Sequence, residues 1–376
     1  MSLDLERLIR PNILNLVPYR CARDEYKKGI LLDSNENSFG SVLSVEQEDG
    51  QELHRYPFAY AELKKKIAKF RGIRVEQIFT GVGSDEAIDS TIRIFCSPGK
   101  ESIIVTPPTF SVYKVRGDIN DAKVISVPLT PDYQLNMDKL KKAITPEVKV
   151  IFICSPGNPT GVRIPREDII ELLESDYKGM VALDEAYVDF STSPSDCDLV
   201  DKYPNLVVLQ TMSKSFGLAG IRLGWAIAHP SVIDVFNKVK TPYNLSTMTA
   251  KMGMDALELV DEMHQRVKQV QQERDKLMES MRQTPEVKNV RSSEANFFLA
   301  EIEHAHEVYR MMADKGVVVQ YKGKEPHCKD CLRVTVGTPE ENKVLLETLK
   351  DVCKLVAEQH ADDATENKTK KRKTDQ

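Results

Sequence analysis

The sequence predicts an α/β fold, in which a large domain has a mainly parallel sheet sandwiched by helices and a smaller domain is α+β. Short apolar runs alternate with helical patterns through the middle of the chain, and a charged helical pattern follows them. The 376 residues are enough for two hydrophobic cores. We expect an N-terminal segment over 1–40, a large domain over 41–245, a small domain over 246–360 and a disordered basic tail over 361–376.

Six apolar runs predict the strands of the large sheet. They are rich in β-branched residues and lack polar alternation, as expected of strands with both faces buried. The runs cover 102–105, 122–125, 150–154, 181–183, 206–209 and 223–228.

The pattern changes beyond Pro242. Residues 246–282 predict one long amphipathic helical region, and strand-like runs follow at 296–299 and 332–336. Further helical patterns surround 304–314 and 340–358. We expect the N-terminal 40 residues to pack on this smaller domain or on a partner subunit.

Composition favours a protein that acts on small molecules. The 52 basic and 57 acidic residues leave a net charge of −5, which offers no basic face for nucleic acid. No run approaches the roughly 18 apolar residues of a membrane span, and the N-terminus lacks a signal-peptide pattern. The seven irregularly spaced cysteines suit reduced thiols. We therefore expect a soluble, cytoplasmic protein without nucleic-acid or membrane partners.

Two short motifs have competing interpretations. Cys328 and Cys331 form a single CxxC beside His327, but a structural zinc site needs about four ligands and no second pair lies nearby. No metal is therefore expected. The basic run at 368–373 favours a disordered tail, with a nuclear-localisation signal as the alternative.

Polar residues directly follow three of the predicted strands. Because ligands of open parallel sheets bind at the carboxyl ends of the strands, these residues are candidates for one site. Asn158 lies in the turn 155–161, Asp184 and Tyr187 follow the next run, and Lys214 follows the run at 206–209. Taken singly, each has an ordinary alternative as a turn residue, a core aromatic or a solvated lysine.

Together these residues match the needs of pyridoxal phosphate. A buried carboxylate at Asp184 favours a protonated ring nitrogen, without which the ring is a poor electron sink. Asn158 and Tyr187 offer hydrogen-bond donors to the phenolic oxygen. Lys214 is the nucleophile for the cofactor's aldehyde carbon and the predicted catalytic residue.

The segment 81–88 (GVGSDEAI) predicts the phosphate cradle. Its glycines allow close backbone approach, and Ser84 is expected to cap a helix whose free amides bind an anion. Asp85 and Glu86 belong to the same predicted cofactor-binding segment. Ser213 and Arg222 add a hydroxyl and a cation, and Phe110 is placed against the ring face. A capped helix without a ligand and a core phenylalanine are the ordinary alternatives.

The residues resemble the fold-type I pyridoxal phosphate aminotransferases, and within them the histidinol-phosphate aminotransferase family. The resemblance runs from Leu5 to about Leu355. Its motifs are at 18–23, 32–37, 54–57, 155–161, 184–187, 213–222 and 331–337. It implies a reversible transfer of the amino group of histidinol phosphate to 2-oxoglutarate, in histidine biosynthesis, with Lys214 as general acid and base.

The same resemblance implies a homodimer with a shared active site. Tyr56 of one subunit would reach the cofactor phosphate of the other, and Arg333 would pair with the anionic group of the substrate. The remaining residues that the resemblance assigns to the substrate are Tyr19, Asn35, Asn158, Asn296 and Gln320.

Two positions depart from the family pattern. Gln320 stands where the family usually has an arginine, which weakens phosphate selectivity unless Lys322 replaces that cation. Phe110 stands where the family commonly has tyrosine, which keeps the stacking and drops one hydroxyl. The alternatives are an aromatic aminotransferase or a decarboxylase of the same fold, or a catalytically silent regulator.

Overall fold

A seven-stranded sheet forms the centre of the computed structural model, which describes residues 4–19, 30, 32–42, 53–57 and 60–374, with side chains up to 361. In chain order the strands are β1 (Ile78–Val82), β2 (Ser102–Val105), β3 (Lys123–Ser126), β4 (Val148–Cys154), β5 (Met180–Asp184), β6 (Leu206–Thr211) and β7 (Leu223–Ala228). Across the sheet their order is β1-β7-β6-β5-β4-β2-β3. Only β7 runs against the other six, which confirms the mainly parallel sheet.

Helices cover both faces of this sheet, and the burial of alternate strand residues explains the continuous apolar runs. Along β4, Ile151 and Ile153 belong to one core cluster, whereas Val150 and Phe152 belong to the other. The helices of this part of the chain are α1 (Leu5–Leu8), α2 (Pro11–Leu14), α3 (Tyr60–Arg71), α4 (Gly83–Phe95), α5 (Val112–Ile119), α6 (Met137–Ala143), α7 (Arg166–Glu174) and α8 (Pro230–Val239).

The N-terminal helices correct one expectation. The sequence places segment 1–40 on the smaller domain or a partner, but α1 and α2 pack on the large domain. Leu8 and Ile13 join the core cluster that contains Phe95 and Phe236. The Arg10 amide also donates to the Ile94 carbonyl at 3.0 Å. These apolar side chains therefore bury themselves against α4 and α8.

The smaller domain is an antiparallel sheet with helices on one face. Its strands are β8 (Val287–Val290), β9 (Phe297–Ile302), β10 (Gln320–Tyr321) and β11 (Cys331–Thr335), in the order β10-β11-β9-β8. The helices are α10 (Val260–Arg282), α11 (Ala305–Asp314) and α12 (Pro339–Thr374). Leu299 and Cys331 belong to the core of the large domain, so the other face of the small sheet packs there.

The helical region expected over 246–282 is two helices, α9 (Thr247–Ala256) and α10. Helix α9 contacts α3 and β7, whereas α10 contacts β8 and β9. A Cβ on Gly253 would lie 2.3 Å from a Leu223 methyl, which shows how closely α9 approaches β7. Helix α10 also packs on Tyr187 and Phe190 of the large domain through Met263 and Val267, so it contacts both domains. The boundary after 245 stays a prediction.

Helix α12 extends into the tail for which the composition predicts disorder. Its backbone is helical to Thr374, and disorder of the tail 361–376 stays a prediction. Between 340 and 374 the sequence has no glycine or proline and is rich in helix formers, so nothing in it stops the helix. Among the described helices, none combines the length and apolar character that crossing a membrane requires.

Candidate active site

A cleft of about 330 Å³ opens at the carboxyl ends of β4, β5 and β6, beside β10 and β11. Most of the residues predicted from the sequence meet there. They are Ser84, Asp85, Phe110, Asn158, Asp184, Tyr187, Ser213, Lys214, Arg222, Gln320 and Arg333. A second cavity of about 390 Å³, lined by residues of α1 and α7, contains none of them. We place the site in the cleft because its titratable groups converge on one space.

Asp184 is the buried acid of the cleft. It ends β5 and is 3% exposed. The Tyr113 hydroxyl donates to its Oδ2 at 2.6 Å, and the Ala186 amide donates to its Oδ1 at 3.0 Å. Burial raises the pKa of Asp184 to about 6, although both hydrogen bonds lower it. A cation beside this carboxylate would remove the cost of keeping it ionised, which is what a protonated pyridine nitrogen offers.

Lys214 follows β6 and projects into the cleft. Its amine lies 5.5 Å from the centre of the Tyr187 ring. Desolvation by the surrounding protein lowers the pKa of Lys214, and the charges of Arg333 and Arg222 act in the same direction. More of the amine is therefore neutral near pH 7, as a nucleophile or base requires.

The start of α4 approaches the strand β7 and Arg222 very closely. A Cβ on Gly224 would lie 2.3 Å from the Ser84 amide nitrogen, and one on Gly83 would lie 2.6 Å from Arg222 Nη2. Arg222 donates to Asp85 Oδ2 at 2.9 Å and to Ser213 Oγ at 3.5 Å. A guanidinium, hydroxyls and helix amides thus converge as they do around a bound phosphate.

Two details of this cradle differ from the sequence prediction. Ser84 is predicted to cap α4, but the N-cap is Val82, and Ser84 lies in the first turn, facing the cleft. Glu86 is predicted to bind the cofactor, yet it does not line the cleft. Its carboxylate accepts from the Val82 amide at 2.6 Å and from Asn244 at 3.0 Å. Glu86 therefore supports the turn before α4.

Arg333 lines the cleft beside Asn158. Its Nη1 donates to Asn158 Oδ1 at 2.6 Å, and Asn158 donates to the Tyr187 hydroxyl at 3.4 Å. Burial lowers the pKa of Arg333, while burial and then the charge of Arg333 lower the pKa of Lys322. Two partly buried cations therefore face one space, an arrangement that favours an anionic ligand.

Two cleft-lining residues also have buried polar atoms without a protein partner in the described part of the chain. Among the described residues, Thr109 Oγ1 and Arg333 Nε are buried without a hydrogen-bond partner. Both residues line the cleft. Buried polar groups are normally paired, so these two atoms indicate a place for a polar ligand. With the acid, the lysine and the phosphate cradle, the residues present fit pyridoxal phosphate and an anionic substrate.

Comparison with known proteins decides the family. Residues 27–349 match the sequence model of the family described as aminotransferase class I and II. The chain belongs to this family. The histidinol-phosphate aminotransferase of Schizosaccharomyces pombe is 42% identical over 375 residues, which cover 92% of this chain and 97% of that protein. The one of Cytophaga hutchinsonii is 40% identical over 353 residues, covering 93% and 99%.

A solved structure supports the fold of the aminotransferase. The histidinol-phosphate aminotransferase of Sinorhizobium meliloti, in complex with pyridoxal-5'-phosphate, matches with a TM-score of 0.76. The match covers 86% of this chain and 90% of that one at 21% identity, so the likeness is one of fold.

Besides Glu86, four residues that the sequence assigns to the site do not line the cleft of the single chain. Tyr56 is 47% exposed and stacks on Tyr243 with ring centres 4.4 Å apart, and Tyr19 meets the same ring edge-on at 6.5 Å. Asn35 is exposed, with a φ of 56°. Asn296 packs below the cleft, where its Oδ1 is buried without a partner among the described residues. Most of the motif at 18–23 is outside the described residues.

Sequence reasoning missed residues that support the site. Thr109, Ser111 and Thr211 line the cleft of the aminotransferase. Tyr113 lies below it and is fully buried against Asp184. Thr109 and Ser111 follow strand β2 and Thr211 ends β6, so their position at strand ends is a signal that could have found them. Nothing in the sequence indicates that Tyr113, on a helix, points at a strand-end carboxylate.

Among the described residues, two groups contain metal-binding residue types, but their donor atoms do not point at one centre. His304, Glu307 and His360 lie within 4.8 Å of one another through their ligand atoms. The two imidazole rings are stacked 3.7 Å apart and 10° from parallel, so their lone pairs do not point at one centre. In the CxxC segment, the His327 ring is directed to the Leu129 carbonyl at 3.1 Å, not to the thiols.

Proposed function

We propose that the aminotransferase transfers the amino group of L-histidinol phosphate to 2-oxoglutarate, giving imidazole acetol phosphate and glutamate, with pyridoxal 5'-phosphate as cofactor. The observation that carries the proposal is the polarity of the cleft. Asp184, Lys214 and the start of α4 would take the cofactor, which leaves Arg333 and Lys322 as the cations of the cleft for the substrate. A substrate with both an amine and a phosphate matches this division, and the similar relatives named above carry that enzyme's name.

The residues that would hold the cofactor are Ser84, Asp85, Phe110, Asn158, Asp184, Tyr187, Ser213 and Arg222. Bound pyridoxal phosphate supplies a protonated ring that accepts electrons from a substrate carbon losing its proton. Asp184 would accept the hydrogen bond of the protonated ring nitrogen, while Asn158 and Tyr187 would donate to the phenolic oxygen. Asp85 fixes Arg222 through their 2.9 Å contact, and Arg222 would then bind the phosphate.

Lys214 is the group that moves protons in the reaction. Burial lowers its pKa, which favours the neutral amine that would take the proton from the substrate Cα and return it to another carbon. Arg333 is fixed by Asn158 and lies 5.2 Å over the Phe297 ring, so it can bind an anion without reorganising. Lys322 adds a second, more flexible cation at the same end.

We also infer a homodimer in the cytoplasm, in which Tyr56 of one subunit contacts the cofactor phosphate of the other. Met248 and Met252 lie one turn apart on α9 and are 47% and 44% exposed, which gives that helix an apolar outer face suited to a second subunit. The six described cysteines are free thiols, which supports a reducing compartment. Light scattering measures the molecular mass and so tests the dimer. The cofactor affinity of Tyr56→Phe tests the contact of Tyr56 with the phosphate.

The test of the activity uses the purified protein loaded with pyridoxal phosphate. Histidinol phosphate is added without a keto acid, and the visible spectrum of the cofactor is followed. Prompt conversion to the pyridoxamine form supports the proposal. No conversion, with conversion by phenylalanine instead, would favour an aromatic aminotransferase, whereas release of carbon dioxide would indicate a decarboxylase. If the protein did not bind the cofactor, the remaining hypothesis would be a catalytically silent regulator.

A further inference from the structure

We propose that Tyr113 is a positioning residue for Asp184, whose carboxylate it holds ionised and in a single orientation toward the cofactor ring. The inference rests on the proposed function, because it concerns the acid of that site. Tyr113 belongs to α5 and Asp184 ends β5, so one hydrogen bond joins a helix to the strand that carries the acid.

The geometry directs the Tyr113 hydroxyl to Asp184, with the neutral Cys154 thiol as its other polar neighbour. Its hydroxyl lies 2.6 Å from Asp184 Oδ2, and its side chain is 0% exposed. The ring stacks on Phe152 at 4.7 Å and 12° and meets Phe110 edge-on at 5.7 Å. Because the ring is packed and fully buried, the hydroxyl cannot swing away from the carboxylate. Phe110 in turn lines the cleft.

The direction of the hydrogen bond follows from the chemistry of the two groups. Burial and the charge of Asp184 hold the pKa of Tyr113 well above its usual value, so the phenol keeps its proton and donates it. A donor to a carboxylate forms a charge-assisted hydrogen bond, which favours the ionised acid. This bond is the largest of the contributions that lower the pKa of Asp184 against the effect of burial.

The charged and titratable groups around Asp184 do not replace this contact. Asp85 on α4 raises the pKa of Asp184, and Lys214 after β6 lowers it less than the two hydrogen bonds do. Cys154 on β4 has its own pKa raised by burial, and it stays a neutral thiol near pH 7. Without Tyr113, Asp184 would therefore stay protonated to higher pH, and a neutral acid holds a ring cation poorly.

The test is Tyr113→Phe, which keeps the packed ring and removes only the hydroxyl. In the holoenzyme we expect kcat to fall roughly tenfold, the effect of one hydrogen bond to a charged group, with KM within about twofold. The acid limb of the kcat profile should move to higher pH. Tyr177→Phe is the matched control, because Tyr177 is also fully buried but donates to the Met180 carbonyl, away from the cleft.

A second readout does not depend on activity. In the apoprotein, Asp184 has a folded pKa above its unfolded value, so its contribution to stability falls as the pH rises from about 4 to about 6. In Tyr113→Phe this loss of stability should continue to higher pH. The difference in melting temperature between the wild type and the variant should therefore be larger at about pH 8 than at about pH 5. In an Asp184→Asn background, the same change should lose this pH dependence.

A loss of kcat and of melting temperature that is equal at every pH, with or without Asp184, would overturn the inference and leave Tyr113 a packing residue. The apoprotein measurement stands even if the wild type does not accept histidinol phosphate. Failure of the inference and failure of the proposed function are therefore distinguishable.

Discussion

Gln320 lies directly opposite Arg333 across the antiparallel pair of β10 and β11. This register places a neutral amide next to the partly buried Arg333 guanidinium, and Lys322, two residues further, also lines the cleft. The second cation of the site is thus the Lys322 ammonium, which lies two residues beyond the position paired with Arg333. In the proposed function, the binding of the substrate's anionic group therefore depends on Lys322.

We expect Lys322→Ala to lower kcat/KM for histidinol phosphate by about tenfold, the effect of one charge-assisted hydrogen bond. The activity toward histidinol, which lacks the phosphate, should change little. Gln320→Arg should raise the preference for the phosphorylated substrate. Steady-state kinetics on both substrates measure this, with the exposed Lys324→Ala as control. Equal losses on both substrates would show that Lys322 does not bind the phosphate.

Replacement of Lys214 by alanine should abolish turnover. The side chain is the only general base proposed for the reaction, and such a group contributes about 10²- to 10⁴-fold by itself. Single-turnover spectroscopy of the cofactor is the measurement, and Lys202→Ala, an exposed lysine away from the cleft, is the control. Full activity of Lys214→Ala would contradict the mechanism.

Cofactor affinity should weaken as the pH falls through about 6. Asp184 has its pKa raised to about 6 by burial, and only its ionised form pairs with a protonated ring nitrogen. The dissociation constant of pyridoxal phosphate, measured by fluorescence titration, should therefore rise below this pH. In Asp184→Asn the affinity should be lower and the dependence near pH 6 should disappear. An unchanged profile in that variant would assign the titration to another group.

Gly224→Ala should destabilise the protein and loosen the phosphate cradle together. The added Cβ would lie 2.3 Å from the Ser84 amide nitrogen and 2.9 Å from the Gln210 carbonyl. Because both neighbours are backbone atoms, we expect a loss of about 1–3 kcal/mol in the free energy of unfolding. Urea unfolding of the apoprotein measures it. Gly220→Ala, whose Cβ would meet nothing within 4 Å, should be close to neutral.

The sequence prediction of the large sheet is accurate where strands are long and buried on both faces. The runs at 150–154 and 206–209 correspond to β4 and β6, because a continuous apolar run of this length is typical of a strand between two helical layers. Strand β1 is missed because its Gly81 resembles a loop, and β10 because two residues carry no periodic signal. The break between α9 and α10 lies inside one helical pattern, so the sequence does not predict it.

By itself the sequence determined which residue types meet at the carboxyl end of the sheet, because parallel strands bring their ends to one edge. Asn158, Asp184 and Lys214 follow from that rule together with the needs of the chemistry. Only the tertiary structure decided which side chains turn toward the cleft. In the folded chain, the Glu86 carboxylate accepts from the Val82 amide before α4, and the Tyr113 hydroxyl donates to Asp184. Orientation on a helix depends on the partners across the core, and those partners are distant in the chain.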